Sequence, residues 1–440
     1  MIKRYDSYKD SGIEWIGQVP EHWANLRLRF ACELRNGYTP SKDNSKFWEN
    51  GTIPWYRMED IRDSGRKLKD AKQYITKEAV KGGGLFEAGS FIMATTATIG
   101  EHAVLIVDSL ANQRFTNLKI RKSLSNILFG DFFFYYLFVI DEFCKSTTRT
   151  ATFPAVNMED LRNFYILIPS IKEQKAIVTY LDKILSGIDK AIAQQQRMID
   201  LLNERKQIII QQAVTKGLNP NVKMKDSGVE WIGQVPEHWD IKCLKYTCKI
   251  NGRVGYRGYT ANDLVQEGEG AYTIGGKHIT SCKLDLSDAD FISWKKYYES
   301  PEIMVKKGDI VMAQRGSLGK AALIEEEISE ATINPSLVLL NKISINAKFL
   351  HHYLISNATL TNIQLLNTAT AVPMISQNQI SNMKIPVPPL SEQQQIVDHI
   401  EQQIGCINKA IAKQQQTIDL LKERKQIIIN EAVTGKIKVV

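Results

Sequence analysis

The 440-residue sequence has no apolar run of the roughly 18 residues or more that a membrane-spanning helix needs, and its opening MIKRYDSYKD is too polar for a signal peptide. An intracellular, cytoplasmic protein is therefore expected. Cysteine is sparse and scattered. Of Cys32, Cys144, Cys243, Cys248, Cys282 and Cys406, only Cys243 and Cys248 lie close together, and no second pair completes a metal site. Free thiols and no metal are expected, and the adjacent His351 and His352 have no ligand-rich surroundings. The signatures of common cofactor enzymes are missing too: there is no GxxxxGK[ST] loop and no strand followed by a convincing glycine-rich turn. Nor does one sign of charge dominate. Against 48 Asp+Glu stand 56 Lys+Arg, an excess of +8 that suits a polyanionic partner without requiring one.

What is present is duplication. KDSGIEWIGQVPEHW at residues 9–23 returns as KDSGVEWIGQVPEHW at 225–239, with Ile13 replaced by Val229. IDLLNERKQIII at 199–210 returns as IDLLKERKQIII at 418–429 at nearly the same spacing. One unit is thus written twice, as a short leader, a long middle and a helical tail. The middles, roughly 24–168 and 240–387, have diverged far more than their frames. Constant frames around variable middles imply shared packing and separate recognition tasks.

The tails carry a heptad seam. Val178, Leu181, Leu185, Ile188, Ile192, Gln195, Ile199, Leu202 and Ile209 recur in steps of three and four, with Lys206 in the remaining slot. Val397, Ile400, Ile404, Ile407, Ile411, Gln414, Ile418, Leu421 and Ile428 repeat the pattern, with Lys425 in the same gap. Ser170 with Glu173 and Ser391 with Gln394 fit capping boxes, and Gly217 and Gly435 mark the far ends. Each helix is expected to run for about 45 residues, or roughly 65 Å at about 1.5 Å per residue. Helices of that length need a partner. A pseudo-twofold axis relating the copies makes the two tails antiparallel, and Gln195 and Gln414 then either set the register or sit solvated in a loose seam.

The middles alternate β-rich runs with turns. In GSFIMATTATIGEHAVLIV (89–107) and GDIVMAQRGSLGKAALI (308–324) a strand ends in a polar loop, carrying Thr95 and Thr96 in one copy and Arg315 and Ser317 in the other. GTIPWYRMEDI (51–61) and GAYTIGGKHIT (270–280) deliver Arg57, Glu59 and Asp60, or Lys277 and His278, at a strand end. NGRVGYRGYT (251–260) interleaves Arg253 and Arg257 with Tyr256 and Tyr259 among glycines. That composition suits phosphate and groove contact, and equally a solvated turn. Trp15, Trp23, Trp231 and Trp239 in the leaders are read as latches against the helices, with exposed partner contacts for Trp15 and Trp231 as the other option.

Taken together, LRNGYTPSKDNSKFWENGTIPW, GDIVMAQRGSLG and TAVPMISQNQISNMKIPVPPLSEQQQIV, with TATFPAVNMEDLRNFYILIPSIKEQKAIV as the counterpart of the last, resemble the DNA-specificity subunit of type I restriction-modification systems. The likeness covers almost the entire chain. It implies two target-recognition domains, each reading one half of a split site in double-stranded DNA, held apart by paired helices. It also implies two methyltransferase subunits docked on those helices and, in the restricting form, two motor-nuclease subunits. No cofactor is expected in this chain; S-adenosylmethionine, and ATP with Mg, would belong to the partners. Copy one departs from the pattern in two places, with Pro169-Ser170-Ile171 where copy two has Pro388-Pro389-Leu390 and with MATTATIG where an Arg-containing loop is common.

The expected fold is α+β, with two globular domains of mixed or antiparallel sheet joined by two long antiparallel coiled-coil helices in a pseudo-twofold repeat. The expected divisions are a recognition domain at 1–168, a helix at 169–218, a second recognition domain at 219–387 and a helix at 388–440. Expected DNA contacts are Arg57, Arg62, Thr95, Thr96, Arg114, Arg253, Tyr256, Arg257, Lys277, His278, Arg315 and Ser317. Catalysis is not expected, since NPSL at 334–337 lacks the second proline and the aromatic residue of an adenine-methyltransferase motif. The competing classes are a coiled-coil scaffold whose globular ends bind proteins, and the specificity subunit of a methylation-only system.

Overall fold

The heptad tails form helices of 46 residues, Ile171–Lys216, and 44 residues, Leu390–Val433. They are seen in a computed structural model that describes residues 4–12, 16–148, 155–367 and 372–439, apart from the side chain of Tyr256. The first helix starts as expected. Ser170 N donates to Glu173 Oε2 at 3.2 Å, and Glu173 N returns a bond to Ser170 Oγ at 3.3 Å. The second does not use Ser391 with Gln394. It begins one residue before Ser391, with Glu392 N bonded to Pro389 O at 2.9 Å, so Pro389 stands where the first copy has Ser170. Both helices stop at a left-handed glycine, Gly217 at φ 72° and Gly435 at φ 74°.

The chain folds into two compact units, Met1–Gln195 with Gln416–Val440, and Gln196–Gln415. Each unit therefore holds the first part of one long helix and the last part of the other. In the first, Val178, Leu181, Leu185 and Ile188 share a core with Ile429, Ala432 and Val433. In the second, Ile210, Ala213 and Val214 share a core with Ile396, Val397 and Ile400. Beginning against end makes the pairing antiparallel within each unit. The lysines that interrupt the seam reach the facing helix: Lys425 Nζ lies 2.7 Å from Asp189, and Lys206 Nζ 3.4 Å from Asn408 Oδ1. Ile199, Ile407 and Ile418 are buried, while Ile192, Gln195, Leu202, Ile404, Ile411, Gln414 and Leu421 are half-buried. Near the helix ends the buried positions are Ile210 and Ile429, while the preceding Ile209 and Ile428 are half-buried. A straight helix turning every 3.6 residues drifts off a 3.5-residue seam in this way.

In each unit two sheets have more than two strands among the described residues. The first unit has a five-stranded sheet in the order Cys32–Asn36, Phe115–Ile120, Phe91–Ala94, His102–Leu105, Lys67–Leu68, antiparallel except for the last pair. Beside it, Ile53–Tyr56 pairs parallel with Leu110–Ala111 and antiparallel with Tyr74–Ile75. The second unit has Lys249–Gly252, Leu337–Asn341, Ile310–Ala313 and Ala321–Leu323 in one antiparallel sheet. Its second sheet orders Leu264–Val265, Asp290–Ser293, Gly270–Ile274 and Ala331–Ile333, the last pair parallel. Both middles are closed at the base by one strand pair, Ala24–Arg27 with Tyr165–Ile168 and Asp240–Cys243 with Lys384–Val387. The domain is thus inserted between two paired strands, the second of which runs straight into a long helix.

A Glu-Gln dipeptide at the start of each long helix fastens both leader and domain. Glu173 accepts from His22 Nε2 at 2.8 Å and Trp23 Nε1 at 3.4 Å; Glu392 accepts from His238 Nε2 at 2.8 Å and Trp239 Nε1 at 3.0 Å. Each indole also covers the glycine that ends the other helix. A Cβ on Gly435 would come within 3.1 Å of the Trp23 ring and 2.4 Å of Pro20, and one on Gly217 within 3.2 Å of Trp239. The buried Gln174 accepts from Phe129 N at 2.7 Å and donates to the Ile127 and Pro169 carbonyls; Gln393 accepts from Asn346 N at 2.8 Å and donates to Pro388 O. Phe129 and Asn346 are the N-caps of the helices Gly130–Thr147 and Ala347–Leu354, which pack under the sheets. Trp23 and Trp239 are thus latches on the helices. Trp231 is half-buried against the same core as Trp239, and Trp15 lies outside the described residues.

Truncating either latch, Trp23→Ala or Trp239→Ala, should cost about 3–5 kcal/mol in denaturant unfolding, because a buried indole leaves a cavity and takes one hydrogen bond from the carboxylate. Burial works to raise the Glu173 carboxyl, but hydrogen bonds from His22 and Ser170 overcome it and hold its pKa below the usual value. That stabilisation is complete above the unfolded carboxylate pKa of about 4.3 and is lost as pH falls through the lower folded value. Unfolding measured from about pH 6 to about pH 3 should therefore fall less steeply in Glu173→Gln than in the parent.

Candidate nucleic-acid interface

Parallel pairing puts the C-terminal ends of two strands on one edge, where polar loop residues gather. In the first unit Asn112 N, just past Leu110–Ala111, donates to Tyr56 O at 3.1 Å. Thr95 N donates to Arg114 O, and Val156 N to Thr95 O, both at 2.9 Å. The second unit repeats the three bonds: Asn334 N to Ile274 O at 2.8 Å, Gln314 N to Ser336 O at 2.9 Å, and Ile375 N to Gln314 O at 3.0 Å. One backbone scaffold thus presents Thr95, Thr96, Asn112, Gln113 and Arg114 in one unit and Gln314, Arg315, Asn334, Pro335 and Ser336 in the other. Glycine completes each edge. A Cβ on Gly37 would lie 2.3 Å from the carbonyl oxygens of Ala111 and Asn112, and one on Gly252 would lie 2.2 Å from Gln377 Nε2.

The structure brings only some of the sequence-predicted residues to this edge. Arg114, Arg315 and Ser317 are exposed on it, and Thr96 is half-buried there. Neither arginine meets a carboxylate among the described residues, and Arg315 Nη2 rests on Met374 Sδ at 3.4 Å. Arg57 begins the helix Met58–Asp63 and is paired with Glu59. Arg62, on the same helix, pairs with Glu101 at 3.2 Å, and Arg257 pairs with Glu302 at 3.2 Å. Lys277 is exposed, 3.5 Å from Asp290 and 3.7 Å from Asp288. The described ion pairs thus occupy several of the cations behind the +8 balance.

Three predicted contacts lie inside. Arg253 is 6% exposed; its Nε donates to Ile333 O at 3.1 Å and its Nη2 to Thr332 Oγ1 at 3.0 Å, while the guanidinium lies over Tyr259. It ties the loop 251–260 to the sheet, which a surface reading of NGRVGYRGYT does not anticipate. His278 is buried, and its Nδ1 accepts from Gly275 N at 2.9 Å. Burial, and then the charge of Lys277, depress its pKa, so the ring is a neutral turn-forming acceptor. Thr95 is buried, its hydroxyl 3.0 Å from that of Thr116. The side chain of Tyr256 lies outside the described residues.

Sequence reasoning misses the amides of Gln113, Gln314 and Gln377. Placing Asn112-Gln113-Arg114 over Asn334-Pro335-Ser336, each directly after a strand, would have exposed the first. It also misses how differently the units fill one corner. In the first, Arg66, left-handed at φ 71°, lies over Phe138 and donates to His102 O at 3.0 Å. In the second, Cys282 takes the same turn position at φ 62°, and a cleft of about 600 Å³ opens beside His351, His352, Lys348 and Glu401. Among the described residues no three His, Cys, Asp or Glu side chains are grouped to hold a metal ion, and no helix is long and apolar enough to cross a membrane.

The chain matches, over residues 20–197 and again over 236–420, the family described as Type I restriction modification DNA specificity domain. It is 46% identical over 172 residues to the specificity subunit of the type I restriction enzyme EcoprrI of Escherichia coli, an alignment covering 38% of this chain and 42% of that protein. It is 26% identical over 428 residues to the MjaVIII specificity subunit of Methanocaldococcus jannaschii, covering 96% of this chain and 94% of the relative. A solved structure from a study of complex assembly and conformational transition of the type I R-M system aligns over 95% of this chain and 99% of its own, with a TM-score of 0.63 at 18% identity. With both halves matched and both built on one frame, the chain belongs to the family of type I restriction-modification DNA specificity domains.

Proposed function

We propose that each unit reads one half of a bipartite, interrupted site in double-stranded DNA through its loop edge, and that the chain directs methyltransferase subunits to that site. The observation that carries this reading is the pair of edges held by the same three backbone bonds but furnished with different side chains. A scaffold kept constant while its presented groups vary suits a protein that must recognise two different sequences in the same manner. Residues 1–168 and 219–387 would recognise DNA, and the helices at 169–218 and 388–440 would space them and receive partners. The chain itself contributes recognition and no chemistry; S-adenosylmethionine would serve the methyltransferase subunits, and ATP with Mg the motor-nuclease subunits of a restricting system.

Arg114 and Arg315 are the arginines best placed to meet guanine edges or phosphates, with Thr96 and Ser317 beside them. Arg57, Arg62, Arg257 and Lys277 would have to exchange a carboxylate partner for DNA. Arg253, His278 and Thr95 act from the interior, by shaping the loops.

A second repetition supports a partner surface on the long helices. Leu201 and Ile208 on the first long helix are 49% and 45% exposed, and their equivalents Leu420 and Ile427 on the second are 58% and 48% exposed. Each pair is spaced by seven residues within the near-identical tail block, so each forms an apolar stripe on one helix face. Two equivalent stripes suit two copies of one partner.

Arg315→Ala should relax one position of one half-site by about 1–3 kcal/mol, and Arg114→Ala a position of the other, as read by sequencing the DNA methylated by each complex. A uniform loss across all sequences would assign either arginine to phosphate instead. Asp at all four stripe positions, Leu201→Asp, Ile208→Asp, Leu420→Asp and Ile427→Asp, should weaken co-purification with the methyltransferase subunit by about 30-fold or more, since about 2 kcal/mol is lost for one interface hot spot. Normal binding by that variant would move the partner surface elsewhere.

A further inference from the structure

The turn after Leu110–Ala111 holds a side chain tethered at one polar atom before any ligand arrives. Close approach of Gly37 to the Ala111 and Asn112 carbonyls brings the segment 37–39 against this turn, and Tyr38 N donates to Ala111 O at 2.9 Å. Tyr38 is held at three further points. Its carbonyl accepts from Trp55 Nε1 at 3.0 Å, its hydroxyl donates to Ala79 O at 3.1 Å, and the same hydroxyl accepts from Lys81 N at 2.8 Å. Thr39 follows directly, and its hydroxyl donates to Gln113 Oε1 at 2.5 Å. The remainder of Gln113 is exposed.

We propose that Gln113, oriented by Thr39, is a base-reading residue of the first unit and reads an adenine in its half-site. This rests on the reading of that unit as a DNA-recognition domain. With the Thr39 hydroxyl donating to Oε1, the amide is held by its oxygen end. Oε1 keeps a second lone pair and Nε2 keeps both hydrogens, with no partner among the described residues. One acceptor beside one donor matches the N6 amino group and N7 of adenine in the major groove. Guanine offers two acceptors there, so the same amide cannot satisfy both. The tether is in place before binding, so less side-chain freedom is lost on contact.

The second unit lacks this reader. The middle position of its equivalent turn is Pro335, which has neither an amide side chain nor a backbone N–H. The contribution of Gln113 is therefore confined to one half-site. Thr39 is a positioning residue, acting through the amide it holds.

The test uses the full chain assembled with its methyltransferase subunits, S-adenosylmethionine and a library of random duplex DNA, with methylated molecules sequenced. Gln113→Ala should lower the preference for adenine at one position of one half-site by about 5- to 150-fold, the discrimination of one bidentate pair, and leave the other half-site unchanged. Thr39→Val should relax the same position less, and Thr39→Ser, which keeps the hydroxyl, should restore it. An unaltered motif in Gln113→Ala, a loss spread evenly over all sequences, or relaxation in the half-site that Arg315→Ala affects would each overturn the assignment. A parent complex that methylates no common motif would remove the recognition reading itself, and that outcome is visible before any variant is compared.

Discussion

One dipeptide at the start of each long helix holds the architecture together. The carboxylate of Glu173 or Glu392 takes the histidine and tryptophan of a leader, and the amide of Gln174 or Gln393 takes the backbone of the helix beneath a recognition domain. Three separate stretches of chain converge on two adjacent side chains. The indole they fix in turn covers the glycine that ends the opposing helix, so helix start, helix end, leader and domain share one junction. The buried members of this hub, Gln174 and Gln393, tolerate little, since each unmet hydrogen bond there would cost about 1–3 kcal/mol. That sensitivity accounts for a frame that repeats almost letter for letter while the domains it carries differ.

Above the hub, constancy lies in the backbone and variety in the side chains. The strand-end loops of both units are drawn together by matching N–H to carbonyl bonds, which depend on chain path and hardly on residue type. Glycine supplies the exceptions, at Gly37, where the backbone passes too close to the Ala111 and Asn112 carbonyls for any Cβ, and at Gly252, where the Gln377 amide takes that space. Freed from holding the loop, residues such as Thr96 and Arg315, or Gln113 and Pro335, can differ without moving the edge on which they sit.

Much of the frame is legible in the sequence because it is periodic and duplicated. The heptad positions, the glycine stops, the Ser170–Glu173 cap and the leader tryptophans each follow from local rules, and duplication supplies a check on each. The second cap is misread because Ser391 and Gln394 satisfy the spacing while Pro389 occupies the structural position. At the candidate site the strand ends are legible and the fate of each cation is not. Arg253 and Arg315 look alike in sequence, yet one is sealed against Thr332 and Ile333 and the other lies on the surface. Which carboxylate neutralises Arg257 or Lys277 depends on contacts between residues far apart in the chain. So does the meeting of Thr39 with Gln113.

The split of the long helices between the two units has a bearing on the order in which the protein can be made. The second unit is one unbroken stretch, whereas the first joins Met1–Gln195 to Gln416–Val440. During synthesis the N-terminal recognition domain emerges first, but the core that holds Leu181, Leu185 and Ile188 lacks Ile429, Ala432 and Val433 until the end of the chain is translated. At about 5–20 residues per second that wait lasts roughly ten seconds or more, far longer than the helix itself takes to form. Through that interval the nascent chain lacks the part of this core, and the side of Trp23, that the second helix end covers. The domain that begins folding first is therefore the last to close, and its exposure to aggregation or to chaperones is set by the translation time of the other half.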